Sequence, residues 1–177
     1  MSNPTIQSAK PNKNAELAMA MAALVELLDV RLMETQARCV PAIEEKLPER
    51  LRYHVNHECA LDRNSKRFAV MLHLIVDALQ AGETSEPLLH VEAKFLLAYV
   101  VRDLDDLTDA HCEAFADLNA LFNVWPYWRE YVQSITTRMG LPGLVLPVYR
   151  FGQRFTDAVA NPPTTGSGPT TQALPKV

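Results

Sequence analysis

The sequence contains no cluster of five or more lysines and arginines, and its 17 basic residues are outnumbered by 21 acidic ones, for a formal net charge of -4. A surface that holds nucleic-acid phosphates needs a concentrated positive field, so DNA and RNA are disfavoured as partners. Cysteine is scarce. Cys39, Cys59 and Cys112 are odd in number, far apart and without a C-x-x-C spacing, which fits neither a disulfide framework nor a zinc site and points to a reducing compartment. No run approaches the roughly 18 to 20 apolar residues that cross a bilayer. The longest uncharged stretch near the start, Leu17 to Val25, is bracketed by Glu16 and Glu26 with no clean signal-peptidase site after it, so a cytoplasmic protein without membrane insertion is expected. G-x-x-x-x-G-K-[ST], G-x-G-x-x-G and G-x-S-x-G are all absent, which leaves nucleotide hydrolysis and serine-hydrolase chemistry without apparatus and gives no reason to expect a cofactor.

What is present is a chain of 177 residues with 48% apolar content, enough for one core and too little for two ordinary domains. Residues 1–14 are polar with two prolines, and residues 161–177 are built of Pro, Gly, Thr and Ser. Both read as mobile tails around a single domain over 15–160. Ala15 to Leu28 suits a helix capped by Asn14. Val30, Leu32 and Thr35 then alternate with Arg31 and Glu34 as a strand would, until Pro41 and a polar segment interrupt. Three clearer period-2 runs follow, over Leu51 to Leu61, Phe68 to Val76 and Leu89 to Val100, separated by turns at Asp62 to Lys66 and Ala81 to Pro87.

The expected fold is therefore α+β: a four-stranded antiparallel meander with C-terminal helices packed on one side and an extra N-terminal helix. Two of the strands are partly apolar on their second face, through Met71, Ile75, Leu96 and Ala98. That face asks for a cover, and these four residues are the candidate oligomer interface. Asp109 is placed as the cap of a helix starting at Ala110, with Glu113 closing a capping box. Pro126 suits the first turn of a further helix that runs to Met139 and stops at Gly140 and Pro142.

On that last helix Trp128, Val132, Ile135 and Met139 fall on one apolar face, and Tyr127, Tyr131, Ser134 and Arg138 make a more polar stripe beside it. Other chemistry is thin. His54 and His57 stand three apart on a strand and face opposite ways, so they do not read as a metal pair. The run from Asp103 to Asp109 lacks the glycine and distal glutamate of a calcium loop. Cys112 reads as a small buried residue. A pocket enzyme using Asp77 or Glu58 as base and a scaffold without client binding stay open as alternatives.

The pattern Phe122-(x3)-Pro126-Tyr127-x-Arg129-Glu130-Tyr131, followed by Leu141-Pro142-x-Leu144-x-Leu146, resembles the signature of the SecB protein-export chaperone family. Glu92-Ala93-Lys94-Phe95-(x3)-Tyr99 is similar to a strand motif of that family. Leu97 stands where the family has Gly, and two Trp residues replace smaller ones, which resembles the divergent, solitary members, some of which serve toxin-antitoxin systems. The resemblance implies an ATP-independent holdase that binds unfolded polypeptides, assembled as a homotetramer built as a dimer of dimers. It implies client contacts at Phe95, Tyr99, Phe122, Trp125, Tyr127, Tyr131, Leu144 and Leu146. Partners implied are unfolded clients together with SecA or a toxin or antitoxin, with Glu92 at the acidic position used for docking SecA. Aromatic rings suit such binding because they offer large contact area with few torsions to freeze.

Overall fold

In the computed structural model of the chain, residues 13–40, 49–80, 86–149 and 158–159 are described. Four long antiparallel strands form the sheet: β1 (Val25–Cys39), β2 (Arg50–Asp62), β3 (Arg67–Leu79) and β4 (Leu89–Val101). Helix α1 (Lys13–Ala22) precedes them, α2 (Asp109–Phe115) and α3 (Leu121–Arg138) follow, and a two-residue β5 (Ala158–Val159) pairs with the start of β2. The architecture is the α+β arrangement expected. The strand order, β1-β4-β3-β2-β5, refines it. Only β2, β3 and β4 form a meander, and β1 lies beside β4 in a Greek-key arrangement. A tight turn joins β2 to β3. There the Asp62 carboxylate accepts from the Asn64 backbone N–H at 2.9 Å and the Ser65 hydroxyl at 2.6 Å. The expected tails and the Pro41 segment lie almost wholly outside the described residues.

Strand β1 starts earlier than its local sequence indicates. Leu24 to Leu28 favour helix by composition, yet Val25 pairs with Val101 and Leu27 with Tyr99. Ladder bonds and cross-strand packing outweigh a helix propensity worth only tenths of a kcal/mol per residue, about 0.7 at most for such residues. The register shifts between Leu27 and Asp29 and again between Leu32 and Glu34. Each shift inserts one residue, Leu28 and Met33, and breaks the alternation by which the strand would be recognised.

The helices cover one face of the sheet. On that face Val70, Leu72 and Val76 of β3 meet Val91, Ala93 and Leu97 of β4, all fully buried. The rings lock helix to sheet: Phe115 meets Tyr99 edge-on at 5.1 Å and Phe68 at 5.7 Å, and Trp128 meets Phe95 at 6.5 Å. Thr108, not Asp109, is the N-cap of α2, and its N–H donates to His111 Nδ1 at 3.3 Å, so His111 fills the place expected for Glu113. A π-helical turn, Ala116–Ala120, joins α2 to α3 without a break. Pro126 therefore lies inside a helix rather than in a first turn. Gly140, at φ 78°, ends α3 as expected.

The opposite face of the sheet is half-exposed and divides in two. Met71, Leu96 and Ala98 occupy one end. Across the other end runs a ladder of charges: Arg52 donates to Asp77 at 2.7 Å, His90 Nδ1 lies 2.7 Å from the other Asp77 oxygen, and Glu92 bonds His90 at 3.3 Å and His73 at 2.7 Å. Partial burial pushes the Glu92 carboxyl up, but the bonds and charges of His73 and His90 outweigh this and hold it below the ordinary 4.5. A depressed carboxyl stabilises the fold above the unfolded value, and that contribution is lost as pH falls through the folded value.

Two outcomes follow for stability. Trp128→Ala removes a fully buried ring and is expected to cost about 3–5 kcal/mol in denaturant unfolding. The melting advantage of the wild type over His73→Gln should shrink as pH falls below 4.5; an advantage that stays undiminished down to acid unfolding would contradict this assignment.

Candidate functional site

Helix α3 buries Leu121, Val124, Trp125, Trp128, Val132 and Thr136, which recur at helical spacing along the side facing the sheet. The same winding turns Phe122 and Tyr127 outward, each 51% exposed. Tyr131 lies between. Its ring stacks on Trp128 at 6.0 Å and its hydroxyl bonds Thr35 on β1. Trp125 is turned toward β2, 6.5 Å from the Tyr53 ring.

After Gly140 the chain doubles back along α3 as an irregular strap, Leu141 to Tyr149. Thr136 Oγ1, itself bonded to Val132 O, accepts the Leu144 N–H at 3.0 Å. Arg129 Nε donates to Leu146 O at 2.8 Å, and Trp125 Nε1 donates to Pro147 O at 2.9 Å. Leu146 and Tyr149 are buried, with the Tyr149 ring 5.6 Å from Trp125 and 6.3 Å from Phe122. Val145 and Val148 point out, 58% and 68% exposed. Phe122, Tyr127, Val145 and Val148 thus leave large apolar side chains open on the helical side of the molecule. A second exposed apolar group, Leu27, Leu28, Leu32 and Met33, lies on the edge strand β1.

The residues expected to contact a client do not share one surface. Phe122 and Tyr127 are exposed, Tyr131 and Leu144 half-buried, while Phe95, Tyr99, Trp125 and Leu146 are buried in the core. Trp125 was expected to be accessible at a helix start. With Pro126 in the helix interior, its ring instead turns inward between Tyr53 and Tyr149. Val145, Val148 and the β1 leucines escaped the sequence reading. For Val145 the signal was present, since it alternates with Leu144 and Leu146. For β1 the bulges hid it.

Met71, Ile75, Leu96 and Ala98 do share the outer sheet face, with Met71 paired to Leu96 and Ile75 to Glu92. Glu92 is half-exposed, and each of its oxygens already bonds a histidine. Asp77, considered as a base, has both oxygens engaged by Arg52 and His90. His54 and His57 sit on opposite faces of β2. His57 Nε2 bonds Glu113 at 3.0 Å and the Cys59 thiol donates to the same carboxylate at 3.4 Å. Burial first, then the Glu113 charge and bond, push the Cys59 thiol up to about 12, so it is not a nucleophile at neutral pH. Among the described residues no group of three or more His, Cys, Asp or Glu is arranged to hold a metal ion, and no helix is long and apolar enough to cross a membrane.

No family profile matches the sequence. The chain is 29% identical over 145 residues to the SecB-like chaperone Rv1957 of Mycobacterium tuberculosis strain H37Rv, covering 72% of this chain and 79% of that protein. It is 28% identical over the same length to the SecB-like chaperone MT2006 of strain CDC 1551, with the same coverage. The fold superimposes on the solved structure of M. tuberculosis Rv1957, a SecB-like chaperone in complex with a ChAD peptide from the Rv1956 HigA1 antitoxin. The TM-score is 0.61 at 25% identity, over 78% of this chain and all of that one. Sheet, helices and sequence agree: the chain is similar to SecB-like chaperones in both sequence and fold.

Proposed function

We propose that the protein is a holdase chaperone that binds unfolded polypeptide without ATP, and that its natural client is the antitoxin of a toxin-antitoxin pair. The observation that carries this reading is the open apolar surface on the helical side, where Phe122 and Tyr127 are each half out in solvent. Large exposed rings cost solubility and are retained where they bind. A client held by several such weak contacts is gripped through effective concentration rather than by one tight pocket. The antitoxin assignment is supported by a relative that was solved holding an antitoxin peptide. The state of Glu92 favours the same choice over general export. Both of its oxygens are already engaged by histidines, which weakens the outer face as an acidic dock for SecA.

Assembly of two or more copies, a tetramer in the arrangement the resemblance implies, belongs to this reading. Two surfaces compete as the interface. Met71, Ile75, Leu96 and Ala98 are half-exposed beside the charged ladder. β1 has β4 as its one strand neighbour among the described residues and carries four large exposed apolar side chains, as an edge strand that pairs with another copy would.

Suppression of aggregation of a chemically denatured client, assayed with and without ATP, tests the chaperone reading, and a requirement for ATP would contradict it. Phe122→Ala and Tyr127→Ala should each weaken client binding by about three- to tenfold, the loss of roughly 1 kcal/mol of ring contact, with melting temperature nearly unchanged. Equal affinity in both variants would remove these rings from the site. Light scattering should give a mass well above the 19.8 kDa of one chain. Leu32→Asp should lower that mass if β1 is the interface, and Ile75→Asp if the outer face is.

A further inference from the structure

The strap is bound to α3 the way a peptide is bound to a receptor. Its first residue, Leu141, bonds the Thr136 carbonyl, and its last, Tyr149, reaches the Phe122 ring. Those anchor points are fourteen helix positions apart, about 21 Å at 1.5 Å per residue. Eight strap steps cover that span, about 2.6 Å per residue, so the segment is far more drawn out than a helix though short of the roughly 3.3–3.6 Å of full extension. Between Leu144 and Val148 it makes no main-chain bond to a helix or strand among the described residues. It is held instead by side chains that address its backbone: the Thr136 hydroxyl takes the Leu144 N–H, and Arg129 and Trp125 donate to the successive carbonyls of Leu146 and Pro147.

Donors aimed at consecutive carbonyls read an extended main chain and ignore which side chains it carries. That property is of little use for a segment whose sequence is fixed, and it is what a binder of many sequences requires. The apolar contacts have the same character. Leu144 is half-buried and Leu146 buried while Val145 between them faces solvent, the alternation an extended apolar client would show. Pro142 and Pro147 lack N–H groups, so the strap leaves fewer donors to satisfy when it lifts. Gly140 at positive φ supplies a joint at one end.

We propose that the strap occupies the client groove as a resident surrogate. An extended apolar stretch of client enters by displacing residues 144–148, and Trp125 and Arg129 then pass their donors from the strap carbonyls to those of the client. This rests on the chaperone reading above and assigns to that site the kind of ligand it takes: an extended segment with apolar side chains at alternate positions and free main-chain carbonyls. Buried Trp125 thereby belongs to the same site as exposed Phe122 and Tyr127, while Leu146 is the strap side chain whose place an apolar side chain of the client takes. Affinity is then set by how often the groove is open, because apparent dissociation constants scale inversely with the competent fraction.

The experiment is hydrogen exchange of the full chain with and without a reduced, carboxymethylated and therefore permanently unfolded client protein. The strap amide of Leu144, whose proton the Thr136 hydroxyl accepts at 3.0 Å, should exchange faster when client is bound. Slower or unchanged exchange with client bound would make the strap a fixed wall and overturn the proposal while leaving the chaperone reading intact. Absence of any client binding would overturn both. Strap-loosening variants give a second readout. Leu146→Ala removes the strap anchor, and Thr136→Val removes its N–H acceptor without changing helix volume. Each is expected to raise client affinity, by about tenfold if the closed state dominates. Should Leu146→Ala fail to fold, Thr136→Val still decides, and affinity that falls or stays level in the folded variants refutes the displacement.

Discussion

The apolar inner face of β3 and β4 has to be covered, and everything on the helical side follows from how α3 covers it. Trp128 set edge-on to Phe95 fixes the rotation of that helix. Once the rotation is fixed, Trp125 and Val132 go inward with it and Phe122 and Tyr127 must go outward, because residues a few positions apart on a helix cannot choose their directions independently. The exposed rings are thus not an ornament added to a finished fold. They are the far side of the constraint that buries Trp128, and a surface with clustered aromatic area is obtained at little extra conformational cost.

The two faces of the sheet solve opposite problems. Inside, alternate residues of β3 and β4 are uniformly apolar and need only shape to fit. Outside, Arg52, Asp77, His90, Glu92 and His73 tie three strands together through side chains. Such a face keeps its carboxylates occupied. The molecule consequently offers apolar area on its helical side and along β1, and a polar surface at one end of the opposite face.

Much of this was legible in the residues. Period-2 alternation over Leu51 to Leu61, Phe68 to Val76 and Leu89 to Val100 located three strands, since a half-buried ladder leaves an unmistakable pattern. β1 was half missed because its two bulges each add a residue and invert the alternation, and because Leu24 to Leu28 look helical until β4 is there to pair with. The site was less legible still. Phe122, Tyr127 and the Leu-rich segment after Pro142 stood out by composition and by family resemblance. What the sequence did not reveal was which rings face inward, because that depends on whether Pro126 begins a helix or sits within one. Strand order likewise depends on a long connection whose path leaves no local trace.

The π-helical turn between α2 and α3 is what decides the fate of Phe122. Phe115 and Phe122 are seven positions apart, nearly two whole turns at 3.6 residues each, so an unbroken α-helix would align them on one side. A π turn accommodates one residue more than an α turn, a phase slip of about 100°. Phe115 accordingly faces Tyr99 and Phe68 while Phe122 swings out to solvent. Removing a single residue from Ala116–Ala120 would leave six α-helical steps between the two rings, about 600° and so the same phase, and Phe122 would stay turned away from the core. The reach of this surface for other polypeptides is therefore written in helix phase as much as in residue type: rewinding the same residues as a regular α-helix, with no aromatic residue altered, is what would draw Phe122 toward the core.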